Sequence, residues 1–348
     1  MGVGTTPQLG GLSYLAIGRE TALGTYNTAT SALDATSFGV VTQKDTKILQ
    51  QITRRRTLSK RLSLGRVVGG PVEFYLSPEI TACAYIMQNA FGGTVTSATA
   101  TGETVGGLGF SHTFEVGNMD QSYTSLCINL RKGDSTTGQV FEYNGVRVNS
   151  LSFNGELDEP LMMSAELVGM NSSATTNDVE SALTVTSAAC LSFVNGRFSV
   201  ESAFSSLTST SFWEVQSINF SINNNLKTDA NARRIGTDAL STLPIGLQTY
   251  ELSVTLRFDT TTSYDAMIAA TEFAAEFEFA GGTMTGSVIK EGLKVQMQKI
   301  GIKDAGDVVV GGPDEVLTST VTFDVLRDES ASGYAVKAIL TNLASSYA

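Results

Sequence analysis

The stretch YELSVTLRF, from Tyr250 to Phe258, decides the fold class because apolar and polar side chains alternate along it. Its apolar members share one face of an extended chain: Tyr250, Leu252, Val254, Leu256 and Phe258. The same period of two recurs in Ile218–Ile222, Val321–Val325 and Tyr334–Leu340. A period of two is typical of strands that bury one face. We therefore predict a mainly β protein.

The composition supports a folded chain and excludes several classes of protein. Of the 348 residues 42% are hydrophobic and only 16% are charged, which disfavours long solvated helices and coiled coils. A single histidine leaves little scope for metal sites or for histidine-based catalysis. None of the common phosphate-loop, metalloprotease or serine-hydrolase motifs occurs. We therefore expect no enzyme activity, no catalytic residue, no metal and no cofactor.

Two segments have helical character, and each follows a predicted strand. The first, EITACAYIMQNAFGG, follows Ser77 and Pro78 and ends in two glycines, after the strand Val72–Leu76. The second, YDAMIAATEFAAEF, follows Ser263 and the strand Tyr250–Phe258. The sequence thus predicts two similar halves, each with one short helix.

Long loops precede the two strands and strengthen the case for an internal duplication. The loop 50–70 leads to VEFYL and the loop 223–246 leads to YELSV, so that Glu73 and Glu251 occupy matching places. A Ser/Thr/Asn-rich stretch, 171–186, marks the boundary between the halves. The predicted organisation is an N-terminal arm with the first strands (1–40), a first domain (41–175) and a second domain (176–348).

The charge distribution points to self-association. The chain has a net charge of −11, but the segment Lys44–Arg66 holds eight cations and one acid, or 8 − 1 = +7, which leaves −11 − 7 = −18 elsewhere. Three interpretations of the basic segment are open: a solvated loop, a nucleic-acid-binding segment, or an arm that docks on another copy. Nucleic-acid binding is disfavoured because 50–70 contains no aromatic residue. The acidic remainder favours the docking arm.

The remaining chemistry-bearing residues favour structural roles. His112 lies in a predicted strand and Cys127 in an apolar run, where each is more simply a packed residue than a catalytic one. Three distant cysteines without CxxC spacing argue against a disulfide framework and for a reducing compartment. No secretory signal and no apolar run of 18 residues is present, so we expect no membrane span and synthesis in a cytoplasm.

Several segments together resemble the tail tube proteins of long-tailed bacteriophages, in the form with two tail-tube domains in one chain. They are GRETALGTY (18–26), GPVEFYLSPEITACAYIMQNAFGG (70–93), the run FEYNGVRVNSLSFNGELDEPLMMSAELVGM (141–170) and the order of elements in 217–269. The resemblance covers roughly residues 12 to 342. It implies two tandem β-sandwich or barrel domains, each with one short helix and a long loop.

The resemblance also implies function. Copies of the chain would form stacked rings in the virion tail, assembled in the host cytoplasm, with other tail proteins as further partners. Duplex DNA would pass through the tube transiently and without sequence specificity. Because six domains close a ring in this family, two domains per chain imply a homotrimer with pseudo-sixfold symmetry. A homohexamer is the alternative.

Two sets of site residues follow from these expectations. Basic side chains of the two loops are expected to dock rings on one another: Arg54, Arg55, Arg56, Lys60, Arg61, Lys227, Arg233 and Arg234. Glu73 and Glu251 are expected to face the lumen, because they alternate with apolar residues. Salt bridges buried between subunits are the alternative role for these two carboxylates.

A surface-binding β-sandwich module, such as an adhesin or receptor-binding domain, is the alternative function. Such modules display clustered aromatic side chains, whereas Trp213 is the only tryptophan here and most aromatic residues alternate inward. The tail tube is therefore the favoured function.

Overall fold

The computed structural model describes residues 10–49, 60–92, 95–103, 108–116, 124–183, 189–207, 212–257, 265, 267–306, 316–330 and 333–347. The strands are β1 (Tyr14–Arg19), β2 (Ser31–Ala32), β3 (Ala35–Phe38), β4 (Val41–Leu49), β5 (Lys60–Tyr75), β6 (Val95–Thr99), β7 (Phe110–Glu115), β8 (Leu126–Lys132), β9 (Gln139–Glu156), β10 (Met162–Gly169), β11 (Asn171–Thr175), β12 (Gly196–Glu201), β13 (Val215–Asn223), β14 (Thr249–Arg257), β15 (Glu272–Thr283), β16 (Lys290–Asp304), β17 (Thr318–Leu326) and β18 (Val336–Asn342). One α-helix, α1 (Thr81–Phe91), lies within the described residues. Short 3-10 turns occur at Gly10–Leu12, Glu180–Ala182, Phe193–Asn195, Phe204–Ser206 and Ala230–Ala232. The prediction of a mainly β protein is confirmed.

One antiparallel sheet, here called the inner sheet, runs through both halves of the chain. Its order is β3/β4–β5–β10–β9–β13–β14–β17–β16, with β3 and β4 sharing the edge beside β5. The first four positions come from the first half of the sequence and the last four from the second half. β9 and β13 join the two sets, from Ser217 opposite Glu156 to Asn223 opposite Ser150.

The strand order of the first half recurs in the second. Within the inner sheet, β5 pairs with β10 as β14 pairs with β17. Outside the inner sheet, β9 of the first half pairs with β8, and β8 pairs with β1. In the second half, β16 pairs with β15 in the same way, and β15 pairs with β12. The pairing of β11 with β9 likewise corresponds to the pairing of β18 with β16. We call the two halves of the inner sheet, each with four strand positions, the first unit (β3/β4, β5, β10 and β9) and the second unit (β13, β14, β17 and β16).

The core is continuous across the junction of the two units. Phe153 of β9 and Phe220 of β13 are both buried, and their rings stack with centroids 6.2 Å apart. Phe277 of β15 lies 5.8 Å from the Phe220 ring and joins the outer strands to this contact. Because aromatic rings of this size remove large apolar areas from water, the junction is a packed interior and not a flexible linker.

The helix α1 covers the first unit. Its alanine-rich sequence favours a helix, and most of its side chains are buried against β9 and β1. Gly92 ends the helix in the left-handed region (φ 69°), and its N–H donates to the carbonyl oxygen of Gln88 over 2.9 Å. The predicted glycine stop is therefore confirmed, whereas the helix begins at Thr81 and not directly after Pro78.

The second predicted helix is wrong over most of its length. Only Asp265, Met267 and Ile268 of that segment are helical in the described residues, and β15 begins at Glu272. The segment EFAAEFEF alternates well enough to form a strand, and pairing with β16 and β12 outweighs its alanine-rich helix propensity. Tyr264 and Ala266 of the predicted helix lie outside the described residues, and in the described part its helical positions are limited to Asp265, Met267 and Ile268.

The loop predicted over 50–70 is largely a strand. Residues 50–59 lie outside the described residues, and β5 already begins at Lys60, paired with Leu49 of β4. The two strands form a long hairpin, here called the hairpin. Among the described residues, no helix has both the length and the apolar character that crossing a bilayer requires.

Candidate functional site

The side of the inner sheet that faces away from the core is polar, and we call it the polar face. Register places one residue of each strand in a single row across it: Ser37, Glu73, Ser164, Ser152, Ser221, Glu251, Asp324 and Gly301. Neighbouring residues on the same strands, such as Phe74 and Leu252, point the other way and are fully buried. The row therefore contains three carboxylates and no cation.

Glu73 and Glu251 occupy equivalent positions in the two units. Glu73 is half-buried, and its Oε2 accepts a hydrogen bond of 2.9 Å from the Ser37 hydroxyl. Glu251 is exposed and lies between Ser221 and Asp324 in the row. The sequence expectation that both carboxylates lie opposite to the buried side chains therefore agrees with their place on the sheet.

The rest of the polar face consists mainly of small uncharged polar side chains. The next row contains Asn154, Asn219, Ser253 and Thr322 at its centre, with Tyr75 and Met162 on one side and Asp304 on the other. Asn219 donates to Asn154 over 2.5 Å, so the two units are also joined by a side-chain hydrogen bond. A cation is present at the border, where Lys303 Nζ lies 4.0 Å from Asp324 Oδ1. The face is therefore hydrophilic and weakly acidic along its central row.

The hairpin is the second candidate surface. β4 and the first residues of β5 are exposed along their length, including Lys60 and Arg61. Arg54, Arg55 and Arg56 lie outside the described residues. At the base of the hairpin, Lys44 Nζ and Arg66 Nε lie 3.3 and 3.4 Å from the carboxylate of Asp238, which belongs to the loop between β13 and β14.

The loop between β13 and β14 does not extend away from the body as the hairpin does. Its Leu240 and Leu243 are buried against the first unit. Of its three expected docking cations, Lys227 and Arg234 are exposed, whereas Arg233 is half-buried and donates to the carbonyl oxygen of Asp238 over 3.4 Å. This loop therefore contacts its own chain.

A sequence model of the family described as "Phage tail tube protein" matches residues 10–325, nearly the whole chain. The chain belongs to the phage tail tube protein family. A search of curated proteins finds no match. Family membership makes this tail tube protein a structural component of the phage tail, in a family of structural proteins and not of enzymes. It also implies assembly with itself and with other tail proteins.

The only histidine of this tail tube protein is a packed residue. His112 is fully buried, with Nδ1 2.8 Å from the Ser97 hydroxyl and Nε2 3.0 Å from Asn342 Oδ1. The Tyr347 ring packs against it edge-on at 4.4 Å between centroids. Burial lowers the pKa of His112, against the opposing effect of Asn342. The imidazole is therefore neutral and joins the C-terminal residues to β7.

The cysteines and carboxylates form no reaction centre in the described residues. Burial raises the pKa of the Cys83 thiol to about 12 and that of Cys127 to about 11, so both thiols are unreactive near neutral pH. No group of three potential metal ligands occurs within the described part of the chain.

The sequence does not predict the ion-pair cluster around Arg131. The Arg131 side chain is only 5% exposed, and its Nη1 lies 2.9 Å from Asp178 and 2.6 Å from Glu180. Its guanidinium lies over the Tyr14 ring at 4.9 Å and donates to the carbonyl oxygen of Leu12 over 3.2 Å. The cluster fastens the segment after β11 to β8 and to the start of the chain. No sequence spacing signals it, because the partners are separated by about fifty residues.

Proposed function

We propose that copies of this tail tube protein close into rings through their inner sheets and stack into a tube for DNA. The supporting observation is that one chain presents eight inner strands as two tandem four-strand units with a continuous polar face. An antiparallel sheet that is polar on one side and buried on the other suits a wall between a protein core and water.

The units correspond to two tail-tube domains. We assign residues 1–40 to an N-terminal arm with the first strands, 41–175 to the first domain and 176–348 to the second. The recurrence of β5, β8 and β9 as β14, β15 and β16 supports two tandem domains. β1, the counterpart of β12, joins the first domain from the arm by pairing with β8.

The size of a ring follows from the number of strands. With strands about 4.8 Å apart and tilted by about 40°, 24 strands give a backbone diameter of about 48 Å. Inward side chains of about 5 Å on each side leave about 38 Å, which admits duplex DNA about 20 Å across. Twelve strands would leave only about 14 Å by the same estimate. Eight strands per chain therefore favour three chains per ring over the hexamer.

The joint between chains is expected to resemble the joint between the units. Within the chain, β9 accepts β13; between chains, β16 would accept β3 of the next copy. The first residues of β15 already pair with β16 as far as Gly301, so the new pairing begins beyond that residue, from Ile302 to Asp304. β3 offers a complementary edge, since its pairing with β5 uses only one side.

The polar face would line the lumen, with Glu73 and Glu251 directed towards the DNA. A basic wall making several phosphate contacts per ring would hold DNA strongly and in a salt-dependent way. A hydrophilic wall with a row of carboxylates instead repels the phosphates weakly and leaves the duplex free to slide.

The hairpin would connect successive rings. Its residues Lys60 and Arg61, together with Arg54, Arg55 and Arg56 of the sequence between its strands, would contact acids of the adjacent ring, and Lys227, Arg233 and Arg234 would add weaker contacts. One exposed ion pair contributes about 0–1 kcal/mol, so the effect depends on several pairs repeated around the ring.

Electron microscopy of the purified chain tests the proposal. Tubes or rings of uniform width with three copies per ring are expected; rings of six copies would contradict the stoichiometry, and a strictly monomeric chain would contradict the function. Changing Arg54, Arg55 and Arg56 together to Ser should shorten the tubes and alter their salt sensitivity. The matched control changes Lys132, Lys290 and Lys337 to Ser, which removes the same charge away from the hairpin.

A further inference from the structure

Within one chain, the loop between β13 and β14 seals the end of the first unit. Its Leu240 and Leu243 are buried against Val168 and Met170, where β10 ends. The Arg147 guanidinium donates to the carbonyl oxygen of Leu243 over 2.6 Å and fixes the loop in place. The loop that joins the first two strands of one unit thus covers the end of the unit before it.

The second unit has a groove at the equivalent end. The groove has a volume of about 970 Å³ and is lined by the start of β14, the end of β17, the residues before β18 and part of β7. Leu247 and Leu326 line it and are 75% and 46% exposed. In the described part of the chain these two leucines belong to no buried cluster, unlike Leu240 and Leu243 on the first unit.

The hairpin is the counterpart of the sealing loop, because it joins the first two strands of the first unit. We propose that the base of the hairpin from the next copy in the same ring fills the groove on the second unit. This inference rests on the proposed ring, since it transfers a contact observed inside the chain to the boundary between chains.

The hairpin base offers apolar side chains for this contact. Leu62 and Leu64 lie in the first part of β5 and are 49% and 41% exposed. A register shift, in which three steps along β5 from Ser63 to Arg66 match two steps along β4, separates this part of β5 from the core-facing side that holds Val68. Packing Leu62 and Leu64 against Leu247 and Leu326 would remove apolar surface from water on both partners.

Electrostatics contribute little to this contact. Lys44 Nζ already lies 3.3 Å from Asp238 of its own chain. Of the acids that line the groove, Glu251 and Asp324 belong to the central row of the polar face, and Glu115 lies 3.3 Å from Lys337. The contact therefore depends on the apolar side chains and on the shape of the groove.

Cross-linking between two populations of the chain, each with a different cysteine substitution, tests the contact. Leu62→Cys and Leu326→Cys are made separately in a Cys190→Ser chain, because Cys83 and Cys127 are buried. The two variants are mixed before assembly and treated with a short thiol-reactive cross-linker. A covalent dimer is expected in the mixture, and at least tenfold less of it in either variant alone. The control pairs Leu62→Cys with Val194→Cys, which is 78% exposed and away from the groove.

The outcomes separate this inference from the proposed function. Rings in every mixture, with no more dimer for the Leu326 pair than for the Val194 pair, would overturn the groove contact and leave the ring intact. Absence of rings from the unsubstituted chain would overturn the proposed function and the inference with it. The pair Leu64→Cys and Leu247→Cys is tested in parallel, so that one variant that fails to assemble does not decide the result.

Discussion

Replacing Glu73 and Glu251 by lysine should convert the polar face from a repulsive wall into one that binds DNA. The two residues lie in the same row, separated by the four strand steps β5–β10, β10–β9, β9–β13 and β13–β14. Four steps correspond to about 19 Å along the sheet. Both side chains point away from the core, so the substitution leaves the packing of the protomer nearly unchanged.

The magnitude follows from the proposed ring. Two substitutions in each of three copies place 2 × 3 = 6 lysines around the lumen and change the charge of each ring by 6 × 2 = +12. If these six lysines contact phosphates, the logarithm of the binding constant falls with the logarithm of salt concentration with a slope of about −5. Binding should then weaken about 10³-fold between about 50 and 200 mM salt.

A sedimentation assay with a short fluorescent duplex measures this binding to assembled tubes. Unsubstituted tubes should leave the duplex in solution at both salt concentrations, and Glu73→Lys/Glu251→Lys tubes should pellet it only at low salt. The control, Glu142→Lys/Glu329→Lys, makes the same change in charge away from the row. Equal pelleting by the two doubly substituted tubes would refute the assignment of the polar face to the lumen.

Further substitutions test the protomer. Gly70→Ala should lower the free energy of unfolding by about 1–3 kcal/mol in chemical denaturation, because Gly70 has φ 149° and a Cβ there would meet the carbonyl oxygen of Gly39. The control, Gly301→Ala, has open space around the new Cβ and should change the free energy of unfolding by less than about 0.5 kcal/mol. Arg131→Met should cost about 2–3 kcal/mol. Hydrogen bonds from Arg131 lower the pKa of Glu180 in the folded state. The contribution of this pair to the stability of the wild type should therefore be lost as pH falls through the pKa of Glu180 in the folded protein, and the stability of Arg131→Met should decrease less on acidification. The lowered pKa of His112 should make stability, followed by thermal melting, decline as pH falls below about 6.5, and His112→Gln should flatten that decline.

The strands were predictable where apolar and polar residues alternate, because a sheet with one buried face imposes that pattern. The pattern also correctly separated Glu73 from Phe74 and Glu251 from Leu252. The helix predicted over EFAAEFEF was wrong, because alanine and glutamate favour a helix in an isolated segment. Pairing with β16 and β12 makes the segment a strand in the folded protein.

Other features depend on contacts between distant parts of the chain. The hairpin was visible as a cluster of charge, but β4 and residues 60–64 of β5 have no buried face and therefore no apolar period. The row that unites Glu73, Glu251 and Asp324 requires the registers of five strand pairs, which local sequence does not contain. The groove on the second unit is recognisable as a docking site only by comparison with the first unit, where Leu240 and Leu243 cover the equivalent surface.

The duplication itself explains why one chain can present a regular wall. Four strand steps separate Glu73 from Glu251 within a chain. In the proposed ring, the path from Glu251 through β17 and β16 to β3 and β5 of the next copy again takes four steps. Glu73 and Glu251 would therefore alternate at equal intervals around the lumen, although the joints within and between chains differ in sequence. Asp324 lies beside Glu251, and its counterpart beside Glu73 is the uncharged Ser164, so each chain adds one further carboxylate. The charge of the wall would then repeat three times around the ring, and a duplex would meet no single preferred side on which to stop.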